Sequence, residues 1–256
     1  MNLDWLTAWL AHMPAMALVM ARIGSLIVSA PVIGGAYVPG TVKSLLTVAM
    51  ALVLAPHIDQ RNIPLDLSFF LLIVREVLLG LSLGWLLSLY SEAVRMGGEL
   101  INRHAGFSAA ENFDPDSNIG AGPMGDIMHF GFLLLLLITN GHLMILSSIA
   151  HSFDLIPLGA WSPSPELGTL LGHSITEAWA IALAISFPVL SAVMAITLVE
   201  GVMTRAIPQI NVLHISFGVK ILVSVGVVYA GMPTVIAFLG TVIVVMHTTS
   251  NALMGM

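Results

Sequence analysis

Ionisable side chains inside long apolar stretches are the most chemically informative feature of this 256-residue sequence. Arg22 lies in the first such stretch, and Arg75 and Glu76 interrupt a later one. Glu200 and Lys220 bracket the boundary between the last two. A charge in a hydrocarbon environment is costly, so these residues serve either a transport pathway or a fixed ion pair. Because no apolar stretch carries a pair of carboxylates suited to ion coordination, we predict fixed ion pairs between subunits.

Other chemical motifs in the sequence are weak. Residues 120–125 match G-x-G-x-x-G, but Asp114 and Asp116 precede them and would repel a phosphate, so these glycines predict a bend and no dinucleotide site. The nine histidines are scattered, cysteine is absent, and no nucleophile stands beside a base in a known motif. We therefore predict no cofactor, no metal and no enzymatic activity.

Composition predicts an integral membrane protein. The chain is 57% apolar and 9% charged, and its mean hydropathy is +0.98. Soluble domains carry roughly 45–50% apolar and about 25% charged residues. Eight Lys and Arg stand against 14 Asp and Glu, and the net charge of −6 disfavours nucleic-acid binding.

The predicted fold class is an all-α membrane protein with about six hydrophobic helices, several of them kinked. A hydrocarbon core of about 30 Å needs about 20 apolar residues as helix. Pro14 and the short second stretch indicate kinked or incompletely spanning helices. The six predicted spans are 5–30, 44–57, 67–90, 127–149, 178–199 and 219–246.

Basic residues predict the orientation of these spans, since short cytoplasmic loops hold an excess of Lys and Arg. With both termini outside, the cytoplasmic loops hold five basic residues and the opposite loops hold only Arg61. The five are Lys43, Arg95, Arg103, Arg205 and Lys220.

Two glycine-containing segments stand out between and within the spans. The loop predicted over 91–126 is long and acidic, and a long loop of this kind is more often functional than decorative. Gly80 and Gly84 form a G-x-x-x-G motif inside a span, which allows close helix contact. We expect that contact within the chain in preference to a dimer interface.

Three ordered blocks of residues resemble the FliR family, the R-type subunit of the flagellar type III export gate, which is related to the T-type subunit of virulence injectisomes. The opening pattern of the family is similar to one found here, which consists of Arg22, Pro31 and Pro39-Gly40 followed by Lys43. The middle segment of the family is similar to residues 106–110, which read GFSAA, together with residues 113–115, which read FDP. Residues 205–213, RAIPQINVL, resemble its R-x-x-P-Q-x-N-V hallmark.

The resemblance implies a P-type four-helix unit over 1–177 followed by a Q-type helical hairpin over 178–256. It implies that residues 106–122 plug a pore and that further residues hold the subunits together. The implied plug residues are Gly106, Phe107, Phe113, Asp114, Pro115, Gly120 and Gly122. We expect Arg75, Glu76 and Glu200 to contact other subunits because they are charges in or beside apolar spans. To these the resemblance adds Arg205, Pro208, Gln209, Asn211 and Lys220.

The partners implied by the resemblance are P-type and Q-type gate subunits, B-type and A-type export apparatus subunits, and unfolded export substrates. The implied location is the bacterial inner membrane, in the flagellar basal body and raised toward the periplasm, with both termini on the periplasmic side. The alternative function is a multi-span secondary transporter of a small solute, although no inverted repeat is visible in the sequence.

Overall fold

The computed structural model describes residues 4–58, 66–107, 123–206 and 212–255, and most of these residues are helical. The described residues contain no strand, so the predicted all-α class is confirmed. A 3-10 turn at Ala55–His57 follows the second helix. The helices are α1 Asp4–Ser29, α2 Gly40–Leu54, α3 Leu67–Ala105, α4 Pro123–Ile138, α5 Gly141–Leu155, α6 Pro165–Ala206 and α7 Val212–Met254.

Because of a break between α4 and α5, the six predicted spans correspond to seven helices among the described residues. The span predicted over 127–149 bends by 69° where α4 gives way to α5. Asn140 lies at the bend with φ of 58°, in the left-handed region. Asn tolerates this conformation better than most residues because its short polar side chain can bond locally. Apolar content alone did not reveal this break.

The predicted loop over 91–126 is much shorter than expected, because α3 continues to Ala105 and α4 begins at Pro123. The charged residues that suggested a loop lie on one helix, where the Arg95 Nε atom is 2.7 Å from the Glu92 carboxylate. Ala93, Val94 and Ile101 form a buried face of the same segment. The extension of α3 is therefore amphipathic, and the charge pattern of its polar face is also typical of a solvent-exposed connection.

A glycine ends α3. Gly106 has φ of 86°, a conformation that costs little only for glycine. The Phe107 N–H donates to the carbonyl oxygen of Asn102 at 3.2 Å. This 6→1 hydrogen bond across a left-handed glycine is the Schellman motif, which satisfies a free carbonyl of the last turn.

Among the described residues, fewer helices could span a membrane than the six predicted. Within the described ranges four helices are long and apolar enough to cross a membrane, or five if the bent pair α4 and α5 is one span. The part of α1 with described side chains, Met13–Ser29, is a shorter apolar helix. The membrane class is unaffected, since several helices of sufficient length remain.

Two compact units divide the chain. Unit 1 contains Met1–Leu89, Thr139–Ser174 and Val245–Met256, and unit 2 contains Tyr90–Ile138 and Ile175–Val244. In unit 1, Leu18 and Ile23 of α1 and Leu79 of α3 are completely buried. In unit 2, Tyr90 and Ala182 are completely buried.

The G-x-x-x-G motif packs α3 against α1 inside unit 1. A Cβ atom on Gly80 would overlap the Ser25 hydroxyl and the carbonyl oxygen of Arg22. A Cβ atom on Gly84 would lie 2.8 Å from the carbonyl oxygen of Leu26. The prediction of close packing within the chain is confirmed, because the two backbones approach where side chains are absent.

We expect Gly80→Val to destabilise the fold, since its side chain meets the α1 backbone, which cannot move aside cheaply. Overpacking of this kind costs about 1–3 kcal/mol. The measurement is the thermal unfolding temperature of the purified chain in detergent. Gly131→Ala in α4 is the control, because no described atom lies within 4 Å of its added Cβ. Equal unfolding temperatures for the two variants would contradict the packing role of Gly80.

Candidate functional site

Arg22 and Glu76 form a buried ion pair in unit 1. The Arg22 Nε atom is 2.5 Å from Glu76 Oε2, and both side chains are 0% exposed. The Arg22 Nη2 atom donates to Glu76 Oε1 at 3.1 Å. This two-pronged geometry matches the planar guanidinium to the planar carboxylate and is the strongest arrangement for such a pair.

The remaining polar atoms of this pair are also satisfied. Arg22 Nη1 donates to the carbonyl oxygens of Ser152 and Ile156, each at 3.0 Å. The guanidinium carbon lies 4.3 Å from the ring centroid of Phe153, within range of a cation–π interaction. Glu76 Oε1 accepts a further hydrogen bond from the Gly159 N–H at 2.7 Å. One ion pair therefore joins α1, α3, α5 and the turn after α5.

This network corrects the prediction that Glu76 pairs with another subunit. Arg22 supplies the partner within the chain, and both carboxylate oxygens are already bonded. The sequence could not identify this partner, because the two residues lie 54 positions apart. Arg75, the neighbour of Glu76, is different: it is exposed, and its Nη1 atom donates to the Gly159 carbonyl oxygen at 3.4 Å.

The turn between α1 and α2 is held by a lysine. Lys43 Nζ donates to the carbonyl oxygen of Gly34 at 2.7 Å. A Cβ atom on Gly34 would lie 2.5 Å from the carbonyl oxygens of Ala30 and Val28. Val32 adopts φ of 67°, a conformation that is costly for a β-branched residue. The first block of family-like residues thus encodes a tight turn that surrounding contacts enforce.

Glu200 and Lys220 form a second ion pair, within unit 2. Lys220 Nζ is 2.9 Å from Glu200 Oε2, and each side chain is 17% exposed. The Ser216 hydroxyl donates to Glu200 Oε1. Both charges were predicted to meet other subunits, and the structure gives each of them a partner within the chain, because the α6–α7 hairpin brings them together. Arg205 is exposed in the last turn of α6, with no ion pair among the described residues.

Several predicted residues lie outside the described residues. In the predicted plug these are Phe113, Asp114, Pro115, Gly120 and Gly122, and in the hairpin turn Pro208, Gln209 and Asn211. Gly106 and Phe107 are described, and both are half-buried. A Cβ atom on Gly106 would lie 3.0 Å from the Phe217 ring, so the end of α3 packs on α7.

Unit 2 contains a polar and small-residue contact that the predicted loop over 91–126 did not include. A Cβ atom on Gly98 would lie 2.5 Å from the Met124 carbonyl oxygen. Asn102 Oδ1 accepts from the Met124 N–H at 3.0 Å, which satisfies a free donor at the start of α4. The available signal was the adjacent pair Gly97-Gly98 between apolar residues at helical spacing. Gly97 packs closely on Ile185 of α6.

Together the helices and the two internal ion pairs define an integral membrane protein of helical type. Within the described ranges, no group of three or more His, Asp or Glu side chains is arranged to hold a metal ion. The charged groups in the interior hold helices together, and many large apolar side chains of the described residues are exposed.

A model of the family described as Bacterial export proteins, family 1, matches residues 13–245, and the chain belongs to this family. Relatives named flagellar biosynthetic protein FliR span most of both chains, which confirms the predicted FliR resemblance. The protein of Escherichia coli strain K12 is 28% identical over 232 residues, 90% of this chain and 88% of its own. The relative from Bacillus subtilis strain 168 is 29% identical over 215 residues, which are 82% of this chain and 83% of the relative. The relative from Aquifex aeolicus is 26% identical over 209 residues, which are 81% of this chain and 80% of the relative.

We expect Arg22→Met and Glu76→Gln each to destabilise the chain severely, since each leaves an uncompensated polar or charged group buried. Breaking such a pair costs about 3–5 kcal/mol. The double variant Arg22→Met/Glu76→Met should recover part of the loss, because it leaves neither charge. The measurement is the thermal unfolding temperature and the yield of monodisperse protein in detergent.

Arg95→Met is the control for this experiment. The Arg95–Glu92 pair is solvent-facing, with side chains 44% and 50% exposed, and such pairs contribute less than about 1 kcal/mol. If the Arg22 and Arg95 variants lose stability to the same degree, the buried network does not hold unit 1 together.

Proposed function

We propose that this chain is a structural gate subunit of the flagellar type III protein export apparatus. In this proposal it assembles with P-type and Q-type subunits in the bacterial inner membrane, within the flagellar basal body, and lines the passage of unfolded flagellar proteins. The B-type and A-type export subunits are further partners. Its membership in the bacterial export proteins and the names of its relatives support this function.

The observation that carries the proposal is the uncovered apolar surface of α7. This helix has 43 residues, a length of about 64 Å at 1.5 Å per residue, roughly twice the hydrocarbon core of a bilayer. Residues 221–254 include no Asp, Glu, Lys or Arg. Only 17% of its most apolar 18 residues are buried within the chain. Lipid alone does not cover an apolar helix of this length, so neighbouring protein subunits are the natural cover.

The charge pattern favours assembly over solute transport. A transporter relay needs intramembrane charges that can change partners, whereas Arg22 and Glu76 are locked by mutual and backbone hydrogen bonds. Arg75 and Arg205 are exposed and remain available to other subunits. We propose these two, with Pro208, Gln209 and Asn211, as the residues that contact neighbouring subunits.

We propose that residues 106–122 plug the pore at rest. Bulk from Phe107 and Phe113 would fill the passage, Asp114-Pro115 favours a turn, and Gly120 and Gly122 supply bending points. The close packing of Gly106 against Phe217 supports one end of this segment. A plug of this kind excludes ions at rest and moves aside for an unfolded chain.

Purification from native membranes in mild detergent tests the assembly. We expect a particle much larger than one 27.1 kDa chain, containing other small membrane subunits, by native mass spectrometry. Arg205→Gln should reduce recovery of that particle by a factor of about 100 or more, because breaking an ion pair that is desolvated by assembly costs about 3–5 kcal/mol. Arg95→Gln, which removes the same charge from a pair within the chain, is the control. A lone monomer or dimer would instead favour the transporter.

Deletion of residues 106–122 tests the plug separately. We expect the particle to assemble but the cells to leak small ions and solutes, since the passage loses its resting seal. The measurement is uptake of a membrane-impermeant dye or the membrane potential of cells that express the shortened chain. Normal membrane tightness, with the assembled particle present in normal yield, would contradict the plug role.

A further inference from the structure

A groove in unit 2 combines unpaired positive charge with an apolar floor. It has a volume of about 470 Å³. The last turn of α3 contributes Arg103 and His104 to one side, and α7 contributes Lys220 to another. The groove is distinct from both the proposed plug and the proposed assembly residues Arg75 and Arg205.

The floor of the groove is one face of α6. Phe187, Leu190 and Met194 recur at the three- and four-residue spacing that aligns side chains along a helix. Phe187 is 68% exposed and Met194 is 66% exposed, so neither is covered by the chain. The remaining floor residues are Ser191, Val193 and Thr197.

The hydroxyl groups of the floor do not make it polar. The Ser191 hydroxyl donates to the Phe187 carbonyl oxygen at 2.8 Å. The Thr197 hydroxyl donates to the Val193 carbonyl oxygen at 2.9 Å. Both donors are thus used within α6, and a ligand lying along this face meets mainly hydrocarbon. About ten residues of helix separate Phe187 from Thr197, a length of roughly 15 Å.

Arg103 carries the charge of the groove. Lys220 is shared with Glu200 at 2.9 Å, which neutralises most of its charge. Arg103 is exposed and, among the described residues, has neither an ion pair nor a hydrogen bond. Its position in the last turn of α3 gives it a favourable interaction with the helix dipole. That interaction uses the charge of Arg103 but none of its five N–H donors.

We propose that this groove binds an anionic phospholipid, with the phosphate at Arg103 and an acyl chain along the α6 floor. A guanidinium matches the geometry of a phosphate, and basic pockets between membrane helices bind anionic lipid headgroups. The charge at one side and the exposed apolar face beside it fit the two parts of one amphipathic molecule. Arg103 and Lys220 both belong to the predicted cytoplasmic side, the leaflet from which such basic residues recruit anionic lipids.

Native mass spectrometry of the delipidated full chain in neutral detergent tests the proposal. The protein is incubated with equal amounts of phosphatidylglycerol or phosphatidylcholine of identical acyl chains, and the retained lipid is counted. We expect preferential retention of phosphatidylglycerol. Arg103→Gln should lower that retention about fivefold, the effect of one cation near a membrane phosphate, and Arg103→Lys should keep most of it.

Matched variants separate the groove from general electrostatics. Arg95→Gln removes the same charge from the same helix, about two turns away, and should retain phosphatidylglycerol as the unmodified chain does. Met194→Ser should lower retention without changing the charge, because it shortens the apolar floor. All of these positions are exposed or half-buried, and circular dichroism checks that each variant is folded.

Four outcomes would overturn the proposal. Equal retention of the two lipids would show that the headgroup charge is not recognised. Unchanged retention in Arg103→Gln, or an equal loss in Arg95→Gln, would show that the groove is not the site. Displacement of the lipid by equimolar inorganic phosphate would identify a site for soluble anions instead.

Discussion

The Arg22–Glu76 ion pair is the constraint on which unit 1 depends. An ionised group placed among apolar helices costs several kcal/mol unless its charge and its hydrogen-bonding atoms are all satisfied. Arg22 meets this requirement only if α1, α3 and α5 hold fixed positions, because its donors reach Glu76, Ser152 and Ile156. The pair therefore selects one arrangement of these helices from the many that nonspecific apolar packing would allow.

The glycines beside this pair have a complementary role. α3 must come close to α1 for the guanidinium and the carboxylate to meet. Gly80, one helical turn after Glu76, lets the α3 backbone reach the carbonyl of Arg22. Unit 2 repeats the combination with different residues: Gly97 and Gly98 allow close helix contact, and Glu200 with Lys220 joins the two helices of the hairpin.

A rigid interior and an apolar exterior together suit a subunit of a larger membrane assembly. The interior charges are held within the chain, so the outer faces of α6 and α7 present mainly large apolar side chains such as Phe187, Leu222 and Tyr229. Such faces are covered by lipid or by other subunits. The chain belongs to the family of bacterial export proteins, and its relatives are named flagellar biosynthetic proteins.

Most of the fold class could be predicted from the sequence, because composition and the length of apolar stretches report directly on helices in a membrane. The contact at Gly80 and Gly84 could be predicted for a similar reason, since the spacing of small residues is local information. The extension of α3 could not, because alternating charge along 91–105 looks like a solvated loop until its buried face has a partner. The break at Asn140 was also missed, since a single residue among many apolar ones decides it.

By itself the sequence determined that this is an all-helical membrane protein of the bacterial export family and that its interior charges need partners. Only the tertiary structure decided which partners they have. Glu76 and Lys220 both find their opposite charges within the chain, although the sequence suggested other subunits. The physical reason is that ion pairing depends on distance in space, and Arg22 and Glu76, 54 positions apart, become neighbours only when α1 packs on α3.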